Sequence, residues 1–326
     1  MESLNIGKVR NLQSCSTNGG VFTILAVDHR DALRALLNPG APEQVSTQEL
    51  VGFKISIAST LAPATTAVLL DPVFSAPQAI STGKIPHGMG LLVALEEQGY
   101  LGDPFQRRTT LINGWSVEKA KRMGANGVKM LLFYHPHAGE AARNQEMLVR
   151  SIVADCHRYE IPLFLEPISH SLTPDIKKGT AEFALLRPLI IIESAQRLSE
   201  AGADILKVEF PIDVKFEQDR KVWSKTCVQL NDACRSPWVL LSAGEPYDTF
   251  KEQVRIACEA GCSGFAVGRA VWQEAVTLRG MEKQEFLKDV ALPRLSELSE
   301  IAQKYAVPWF SRYSTCPVDD EWYHTY

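Results

Sequence analysis

Eight short apolar runs, rich in β-branched residues, alternate along this chain with longer segments of helical periodicity. The runs are apolar at consecutive positions, which is typical of strands buried on both faces of a parallel sheet. We predict strands at Val21–Val27, Ala67–Leu70, Gly90–Leu95, Gly127–Phe133, Leu163–Leu165, Asp204–Phe210, Trp238–Ser242 and Gly264–Gly268. The helices predicted between them include Thr47–Leu61, Ser116–Met123, Ala141–Tyr159, Pro188–Ala201, Lys221–Cys234 and Tyr247–Ala260.

Glycines stand between several predicted helices and the next strand, as Gly124, Gly202 and Gly261 do. Glycine is favoured there because it adopts the left-handed conformation that ends a helix. Eight βα units in 326 residues predict an α/β protein with a closed (β/α)₈ (TIM) barrel. An open doubly wound sheet is disfavoured, because no Gly-x-Gly-x-x-Gly follows the first strand and no P-loop occurs.

The pattern contains no long flexible linker, so we predict one barrel domain over residues 1–310. Residues 311–326 lie outside the pattern as a short C-terminal extension, which we expect to be an interface arm or disordered. Its aromatic residues are compatible with a homo-oligomer.

Composition excludes several classes of protein. Apolar residues make up 45% of the chain and the net charge is -4, which excludes intrinsic disorder. With 34 basic and 38 acidic residues, the chain has no basic excess for a nucleic-acid partner. No apolar run is long enough to span a membrane, and the first residues lack a signal-peptide pattern. The seven cysteines are irregularly spaced, which indicates reduced thiols, so we expect a cytoplasmic protein.

Polar residues that interrupt or close the apolar runs mark the expected active site, because such barrels form theirs at the carboxyl ends of the strands. In chain order these residues are Asp28, His29, Arg30, Asp71, Lys129, Glu166, Lys207, Glu209, Ser242 and Arg269.

Lys207 is the most informative of them, and Glu209 is expected on the same face of its strand. Burial in a barrel removes hydration from a lysine and favours the neutral amine, and a second cation such as Lys129 strengthens this effect. A neutral amine attacks a ketone to form a Schiff base, whose iminium accepts electrons when a carbon–carbon bond is cleaved. The alternative is a structural ion pair of Lys207 with Glu209 or Glu166 that only fills the barrel.

Glu166 breaks an otherwise apolar strand. A carboxylate there can move a proton between water and a substrate hydroxyl, and we expect burial to raise its pKa. Lys129 offers a cation for substrate oxygens. Each residue also has a structural interpretation, as one half of an internal salt bridge.

Two glycine-containing corners, Leu241–Gly244 and Ala266–Arg269, end the seventh and eighth predicted strands. Backbone N–H groups at such corners commonly bind phosphate in barrels, and an arginine adds a charge-assisted hydrogen bond. Either corner alone is a weak signal, because small-residue turns are common at strand ends. Together they predict an anion site formed by Ser242, Gly244, Gly268 and Arg269.

Three histidines provide the main alternative. His135 and His137 follow the fourth strand and His170 follows the fifth, so their imidazoles could bind zinc and polarise a carbonyl without a Schiff base. Loop histidines beside a proline are more often solvated or packed, so we expect no metal.

The strand-end motifs together resemble those of a known family. They are Leu25–Arg30, Leu69–Pro72, Val128–Tyr134, Phe164–Pro167, Leu206–Pro211, Leu241–Gly244 and Gly268–Trp272. In this order they are similar to the class I (Schiff-base) tagatose-1,6-bisphosphate aldolase family and to the related sulfofructose-1-phosphate aldolases.

The resemblance implies reversible cleavage of a ketose 1-phosphate between C3 and C4, without a metal or other cofactor. Lys207 matches the Schiff-base lysine, Glu166 the acid/base carboxylate and Lys129 the assisting lysine. Asp28 matches the acidic residue that contacts substrate hydroxyls. The positions that match those near the C1 phosphate are Ser242, Gly244, Gly268 and Arg269.

The substrate follows less directly from the motifs. The family usually has glutamine where His29 stands, and the segment from Trp238 to Trp272 is closer to the sulfosugar branch. A C6 phosphate or sulfonate needs cationic or N–H donors. The candidates for that role are His29, Arg30, Arg107 and Arg108.

We expect tagatose 1,6-bisphosphate as the substrate, giving dihydroxyacetone phosphate and glyceraldehyde 3-phosphate. The nearest alternative is sulfofructose 1-phosphate, giving sulfolactaldehyde as the aldehyde. A metal-dependent lyase and a non-catalytic sugar-phosphate-binding barrel are the remaining hypotheses.

Overall fold

In the computed structural model, which describes residues 2–97, 108–315, 318–324 and 326, parallel strands close into a barrel. The strands are β1 (Glu2–Leu4), β2 (Phe22–Ala26), β3 (Ala67–Leu70), β4 (Gly90–Ala94), β5 (Gly127–Phe133), β6 (Leu163–Ile168), β7 (Ile205–Val208), β8 (Trp238–Leu241), β9 (Gly264–Val267) and β10 (Tyr313–Thr315). Strands β2 to β9 pair in chain order, and β9 returns to β2 with Phe22 opposite Gly264. The predicted (β/α)₈ barrel is confirmed.

Helices surround the barrel. In chain order they are α1 (Ile6–Cys15), α2 (Asp31–Leu37), α3 (Thr47–Leu61), α4 (Ala76–Ser81), α5 (Val117–Arg122), α6 (Glu140–Arg158), α7 (Ala181–Glu200), α8 (Arg220–Ala233), α9 (Tyr247–Glu259), α10 (Arg269–Trp272), α11 (Gly280–Phe286) and α12 (Leu292–Tyr305). Local chemistry sets their ends: Ser46 and Glu49 form a capping box at the start of α3. Past the ends of α5, α7 and α9, the predicted glycines Gly124, Gly202 and Gly261 have positive φ.

Two predicted boundaries differ from the structure by three or more residues. Strand β6 continues to Ile168, because Glu166 and Pro167 still pair with β5. Helix α7 begins at Ala181 and contains Pro188, which the sequence pattern placed at its start. Thr180 caps this helix by accepting a hydrogen bond from the N–H of Phe183, so the cap and not the proline decides where the helix begins.

The interior of the barrel is apolar at its amino-terminal end. Phe22, Leu69, Leu92 and Phe164 belong to one buried cluster there, which also includes Leu12 of α1. The rings of Phe22 and Phe164 meet edge to face with their centroids 5.6 Å apart. A second and larger core lies between the sheet and the surrounding helices.

The first part of the C-terminal tail packs against the same end of the barrel. Strand β10 pairs in parallel with β1, and the Tyr313 hydroxyl donates to the carbonyl of Asp204 at 2.6 Å. The Arg312 guanidinium donates to the carbonyl of Asn231 at 2.8 Å. These residues therefore pack against the barrel of their own chain.

Within the described part of the chain, no helix has the length and apolar character that crossing a membrane requires. The described cysteines are buried free thiols, and Cys316 lies outside the described residues.

Candidate active site

A cavity of about 410 Å³ opens at the carboxyl ends of the barrel strands. Most of the residues predicted from the sequence line it, although they come from six different strands or strand ends. Those that do are Asp28, His29, Lys129, Glu166, Lys207, Ser242, Gly268 and Arg269. Arg30 and Gly244 lie beside the cavity and do not line it.

Five buried charged residues lie together here, and we call Asp28, Glu96, Lys129, Glu166 and Lys207 the charged cluster. All of them except Glu96 line the cavity. The Nζ atom of Lys129 lies 2.9 Å from Asp28 Oδ2, 2.9 Å from Glu166 Oε2 and 2.7 Å from Glu96 Oε1. The other oxygen of Glu166, Oε1, lies 2.9 Å from Lys207 Nζ. Glu166 therefore bridges the two lysines.

The ammonium groups keep the cluster's carboxylates ionised. Burial opposes the charged form of Asp28, but Lys129 and Lys207 outweigh it and hold the pKa of Asp28 well below its usual range. The same two lysines lower the pKa of Glu166 against the effect of burial. The expectation that burial raises the pKa of Glu166 is therefore wrong, because the sequence does not show that both lysines contact it.

Lys129 is a permanent cation. Burial disfavours its charge, but Asp28, Glu166 and Glu96 together raise its pKa well above the usual value. An ammonium group has three N–H donors, and here three carboxylates surround it.

Glu209 does not pair with Lys207, although both residues line the cavity. Its carboxylate accepts hydrogen bonds from the N–H and hydroxyl of Ser169 at 2.8 and 2.6 Å and forms an ion pair with Lys178. Burial opposes its ionisation, but Lys178 and Arg187 lower the pKa of Glu209 to about 2. Of the two structural ion pairs considered for Lys207, only the one with Glu166 is present.

A strained turn follows β8 at the predicted anion site. Ala243 and Gly244 both have left-handed backbones, with φ of 50° and 85°, and the N–H of Glu245 donates to the carbonyl of Ser242 at 2.9 Å. A left-handed alanine costs about 1 kcal/mol, and such strain is concentrated at functional sites. A Cβ on Gly244 would lie 3.3 Å from Cζ of Arg269, so glycine lets the guanidinium lie close to the turn.

Arg269 is the cation of this corner. Among the described residues its guanidinium has no ion-pair or hydrogen-bond partner, although it lines the cavity. The N–H of Gly268 points to Ser242, with 3.5 Å between the nitrogen and Oγ. The turn, the hydroxyl of Ser242 and an unpaired guanidinium together suit an oxyanion such as phosphate.

The residues predicted as candidates for binding a C6 phosphate or sulfonate lie in different environments. His29 lines the cavity, but burial lowers its pKa to about 4, so its imidazole is neutral at pH 7. It packs edge to face on Trp272 with ring centroids 5.5 Å apart. Arg30 is buried and donates to the carbonyl of Glu96 at 2.5 Å. Arg108 is exposed and does not line the cavity, and Arg107 lies outside the described residues.

Sequence reasoning missed three charged residues of this region. Glu96 lies two residues after the end of β4 and directly after the predicted strand Gly90–Leu95, so the rule that selected the other strand-end residues would have found it. Lys178 and Arg187 line the cavity from the β6–α7 loop and from α7. No sequence signal distinguishes these two, because neither lies at the end of a strand.

His135 and His137 line a separate apolar groove beside α7, and His170 lies next to His135. The ring centroid of His135 lies 5.7 Å from that of His137 and 5.9 Å from that of His170. Burial, together with the other two histidines, lowers the pKa of His135 to about 4, and His137 Nε2 lies 2.7 Å from Glu193 Oε2. Over the described residues, no group of three or more His, Cys, Asp or Glu side chains is arranged to hold a metal ion.

The amino-acid sequence is similar to those of known aldolases. The model of the DeoC/LacD family aldolases matches residues 22–274. Tagatose 1,6-diphosphate aldolase from Streptococcus agalactiae is 29% identical over 323 residues, covering 94% of this chain and 98% of the relative. Tagatose 1,6-diphosphate aldolase 1 from Enterococcus faecalis is 29% identical over 329 residues, covering 96% and 99%.

Solved structures with the same fold are also aldolases. An archaeal fructose 1,6-bisphosphate aldolase has a TM-score of 0.59 at 21% identity, covering 91% of this chain and 99% of that one. Fructose-bisphosphate aldolase from Plasmodium falciparum has a TM-score of 0.66 at 12% identity, covering 94% and 97%. At these identities the likeness establishes the barrel fold alone.

Proposed function

Because the chain belongs to the DeoC/LacD family of aldolases, we propose that it cleaves a ketose 1-phosphate reversibly through a Schiff base on Lys207. The family match confirms the predicted family and the predicted class of enzyme, a carbon–carbon lyase. One observation carries the proposal: the Lys207–Glu166 ion pair at 2.9 Å lies in a cavity that also contains the unpaired guanidinium of Arg269.

The reaction begins with a proton transfer between the two residues of that pair. Glu166 Oε1 accepts a proton from the Lys207 ammonium and leaves a neutral amine, which attacks the C2 carbonyl of the sugar. Glu166 then returns this proton to the C2 oxygen, the attacking nitrogen gives up a second proton to the same oxygen, and the oxygen leaves as water. The product is an iminium between C2 and Nζ of Lys207.

Carbon–carbon cleavage follows from the electron demand of the iminium. Glu166 takes the proton of the C4 hydroxyl, the C3–C4 bonding pair moves toward the iminium nitrogen, and the aldehyde leaves. The remaining enamine is protonated at C3, and water hydrolyses the resulting iminium to dihydroxyacetone phosphate and free Lys207.

Lys129 and Asp28 support these steps without forming bonds to carbon. Lys129 keeps Glu166 ionised between proton transfers, because its own charge is held by three carboxylates. Asp28 lines the cavity beside Lys129, where its free lone pairs can accept hydrogen bonds from substrate hydroxyls.

The C1 phosphate is placed at the strained turn after β8. There the hydroxyl of Ser242, the backbone around Gly244 and Gly268, and the guanidinium of Arg269 provide hydrogen-bond donors and a positive charge. Held in this way, C2 of the sugar is brought toward Lys207 on the neighbouring strand β7.

We propose tagatose 1,6-bisphosphate as the sugar, since both curated relatives described above carry that activity in their names. Sulfofructose 1-phosphate is the second candidate, because the segment from Trp238 to Trp272 resembles that branch. We further propose a cytoplasmic location, an aldolase domain over residues 1–310 with the extension 311–326, and self-association of the chain.

Borohydride reduction in the presence of dihydroxyacetone phosphate tests the chemistry. We expect a covalent adduct by intact mass, located on Lys207 by peptide mapping and absent from the Lys207→Ala variant. Absence of an adduct, with activity that a chelator removes, would contradict the Schiff base. If the adduct forms, comparing glyceraldehyde 3-phosphate with sulfolactaldehyde as the aldehyde partner decides between the two sugars.

A further inference from the structure

Glu96 is a buried carboxylate that no step of this reaction uses, although it contacts Lys129. The residue is 3% exposed and lies just beyond β4, where the N–H of Leu95 donates to the carbonyl of Lys129 at 2.8 Å. Unlike Asp28 and Glu166, it does not line the cavity. It therefore approaches Lys129 from the barrel wall and not from the substrate side.

The two oxygens of Glu96 have different partners. Oε1 accepts a hydrogen bond from Lys129 Nζ at 2.7 Å, and Oε2 accepts one from the N–H of Leu131 at 3.1 Å. Leu131 itself lines the cavity. One carboxylate thus holds both the side chain of Lys129 and the backbone of the strand that carries it.

We propose that Glu96 is a positioning residue for the aldol reaction, which holds Lys129 between Asp28 and Glu166. This inference rests on the proposed function. The ammonium has three N–H donors, and the two cavity carboxylates engage two of them. Without Glu96 the third donor has no carboxylate, and Lys129 is free to shift toward the substrate and away from Glu166.

Glu96 also sets the charge balance of the charged cluster. With three carboxylates and two ammonium groups, the cluster carries a net charge of -1, which falls to zero if Glu96 is neutralised. The iminium on Lys207 is positively charged before carbon–carbon cleavage and again after protonation of the enamine, so the surplus negative charge stabilises both iminium states.

Charged groups face Glu96 from two neighbouring parts of the chain. Lys129 faces its side chain from β5, and the guanidinium of Arg30 donates to its carbonyl. Beyond Lys129 lie Asp28 and Glu166, and Lys207 lies beyond Glu166. Removing one negative charge makes every remaining proton in this set easier to lose, so the pH dependence of the reaction shifts to lower pH.

The Glu96→Gln variant tests this role. In glutamine a donor nitrogen replaces one of the two acceptor oxygens, so one of the donors, Lys129 Nζ or the N–H of Leu131, faces an NH₂ group where it faced an acceptor. We expect kcat for tagatose 1,6-bisphosphate cleavage to fall about 10–100-fold with a much smaller change in KM. Both limbs of the pH profile of kcat/KM are expected to move about one pH unit lower.

Asp204 supplies a matched control at the other end of the barrel. Its Oδ1 accepts a hydrogen bond from Lys8 Nζ at 2.7 Å, and its Oδ2 accepts from Lys8 Nζ at 2.9 Å and from the N–H of Leu163 at 2.8 Å. Like Glu96, it therefore holds a lysine and a strand N–H with one carboxylate. Asp204→Asn therefore removes the same kind of charge and the same kind of bond. We expect it to lower the Tm while the pH profile stays where it is in the wild type.

Glu96→Asp keeps the charge and shortens the side chain. We expect both limbs of its kcat/KM pH profile to match those of the wild type, while kcat is reduced. The positioning role would be overturned if the pH profile of kcat/KM for Glu96→Gln superimposed on that of the wild type. It would also be overturned if the profile of Asp204→Asn shifted by the same amount as that of Glu96→Gln. If Glu96→Gln does not fold, Glu96→Asp decides, because a wild-type kcat in that variant overturns the proposal. A wild type without a borohydride adduct would instead contradict the proposed function itself.

Discussion

At the amino-terminal end of the barrel interior, side chains such as Phe22, Leu69 and Phe164 pack without charge, whereas the carboxyl-terminal end contains the charged cluster. Burial of apolar surface stabilises the fold by about 25 cal/mol per Å². Buried ion pairs contribute little or nothing net, and apolar replacements are often as stable or more so. The carboxyl-terminal end thus keeps groups that folding does not require, which is expected where chemistry takes place.

Among the described residues, Lys8 and Asp204 form a buried ion pair at the apolar end. Comparing this pair with the charged cluster shows what decides whether a buried carboxylate is ionised. Burial raises the pKa of Asp204, because the single lysine in contact, Lys8, does not outweigh it. In the charged cluster two ammonium groups act on Glu166, and its pKa is lowered despite similar burial. The number of nearby cations therefore decides the direction of the shift, since burial acts in the same sense at both ends.

Lys207→Ala, at the carboxyl-terminal end of the barrel, should lower activity more than any other variant considered. We expect kcat to fall by about 10⁴-fold or more, because the covalent intermediate can no longer form. The fold should stay intact but lose some stability, because Glu166 loses one of its two cationic partners and the charged cluster keeps three carboxylates with one ammonium group. Steady-state kinetics and a thermal melt measure both quantities, and substantial residual turnover would refute the nucleophile assignment.

Glu166→Gln is expected to have the next largest effect. Loss of the carboxylate should slow the proton transfers by about 10²–10⁴-fold, while the Schiff-base lysine remains. Single-turnover kinetics with borohydride trapping separates formation of the iminium from cleavage. A near-normal rate would reduce Glu166 to a structural partner of the two lysines.

Arg269→Ala should weaken binding more than chemistry. A charge-assisted contact to phosphate is worth about 1.5–3 kcal/mol, so kcat/KM for the phosphorylated sugar should fall about 10–100-fold. The same variant should lose much less with a sugar that lacks the C1 phosphate. Equal losses with both sugars would count against a phosphate site at this corner.

Phe164→Ala probes the apolar end and should leave the chemistry nearly unchanged. Phe164 is 1% exposed, and its loss should lower the free energy of unfolding by about 3–5 kcal/mol through a cavity in the interior. Urea denaturation measures this loss, and kcat should stay close to the wild-type value. A kcat that fell along with stability would show that the two ends are not independent.

Much of the fold and part of the site could be predicted because the signals are local. The apolar runs placed strand β3 at its observed limits and helix α3 at Thr47–Leu61. The polar residues at strand ends identified most of the cavity lining, since a parallel barrel brings all carboxyl ends of its strands to one face. Arg30 follows a strand end too, but its guanidinium turns to the carbonyl of Glu96.

By itself, the sequence determined the closed barrel and the end of it at which the charged cavity opens, because periodicity and strand ends are properties of neighbouring residues. Only the tertiary structure decided which charges meet. Lys129 and Asp28 are 101 positions apart, and Glu209 turns to Lys178 while Glu166 bridges two lysines. Ionisation depends on such distances between side chains, which no pattern along the chain encodes.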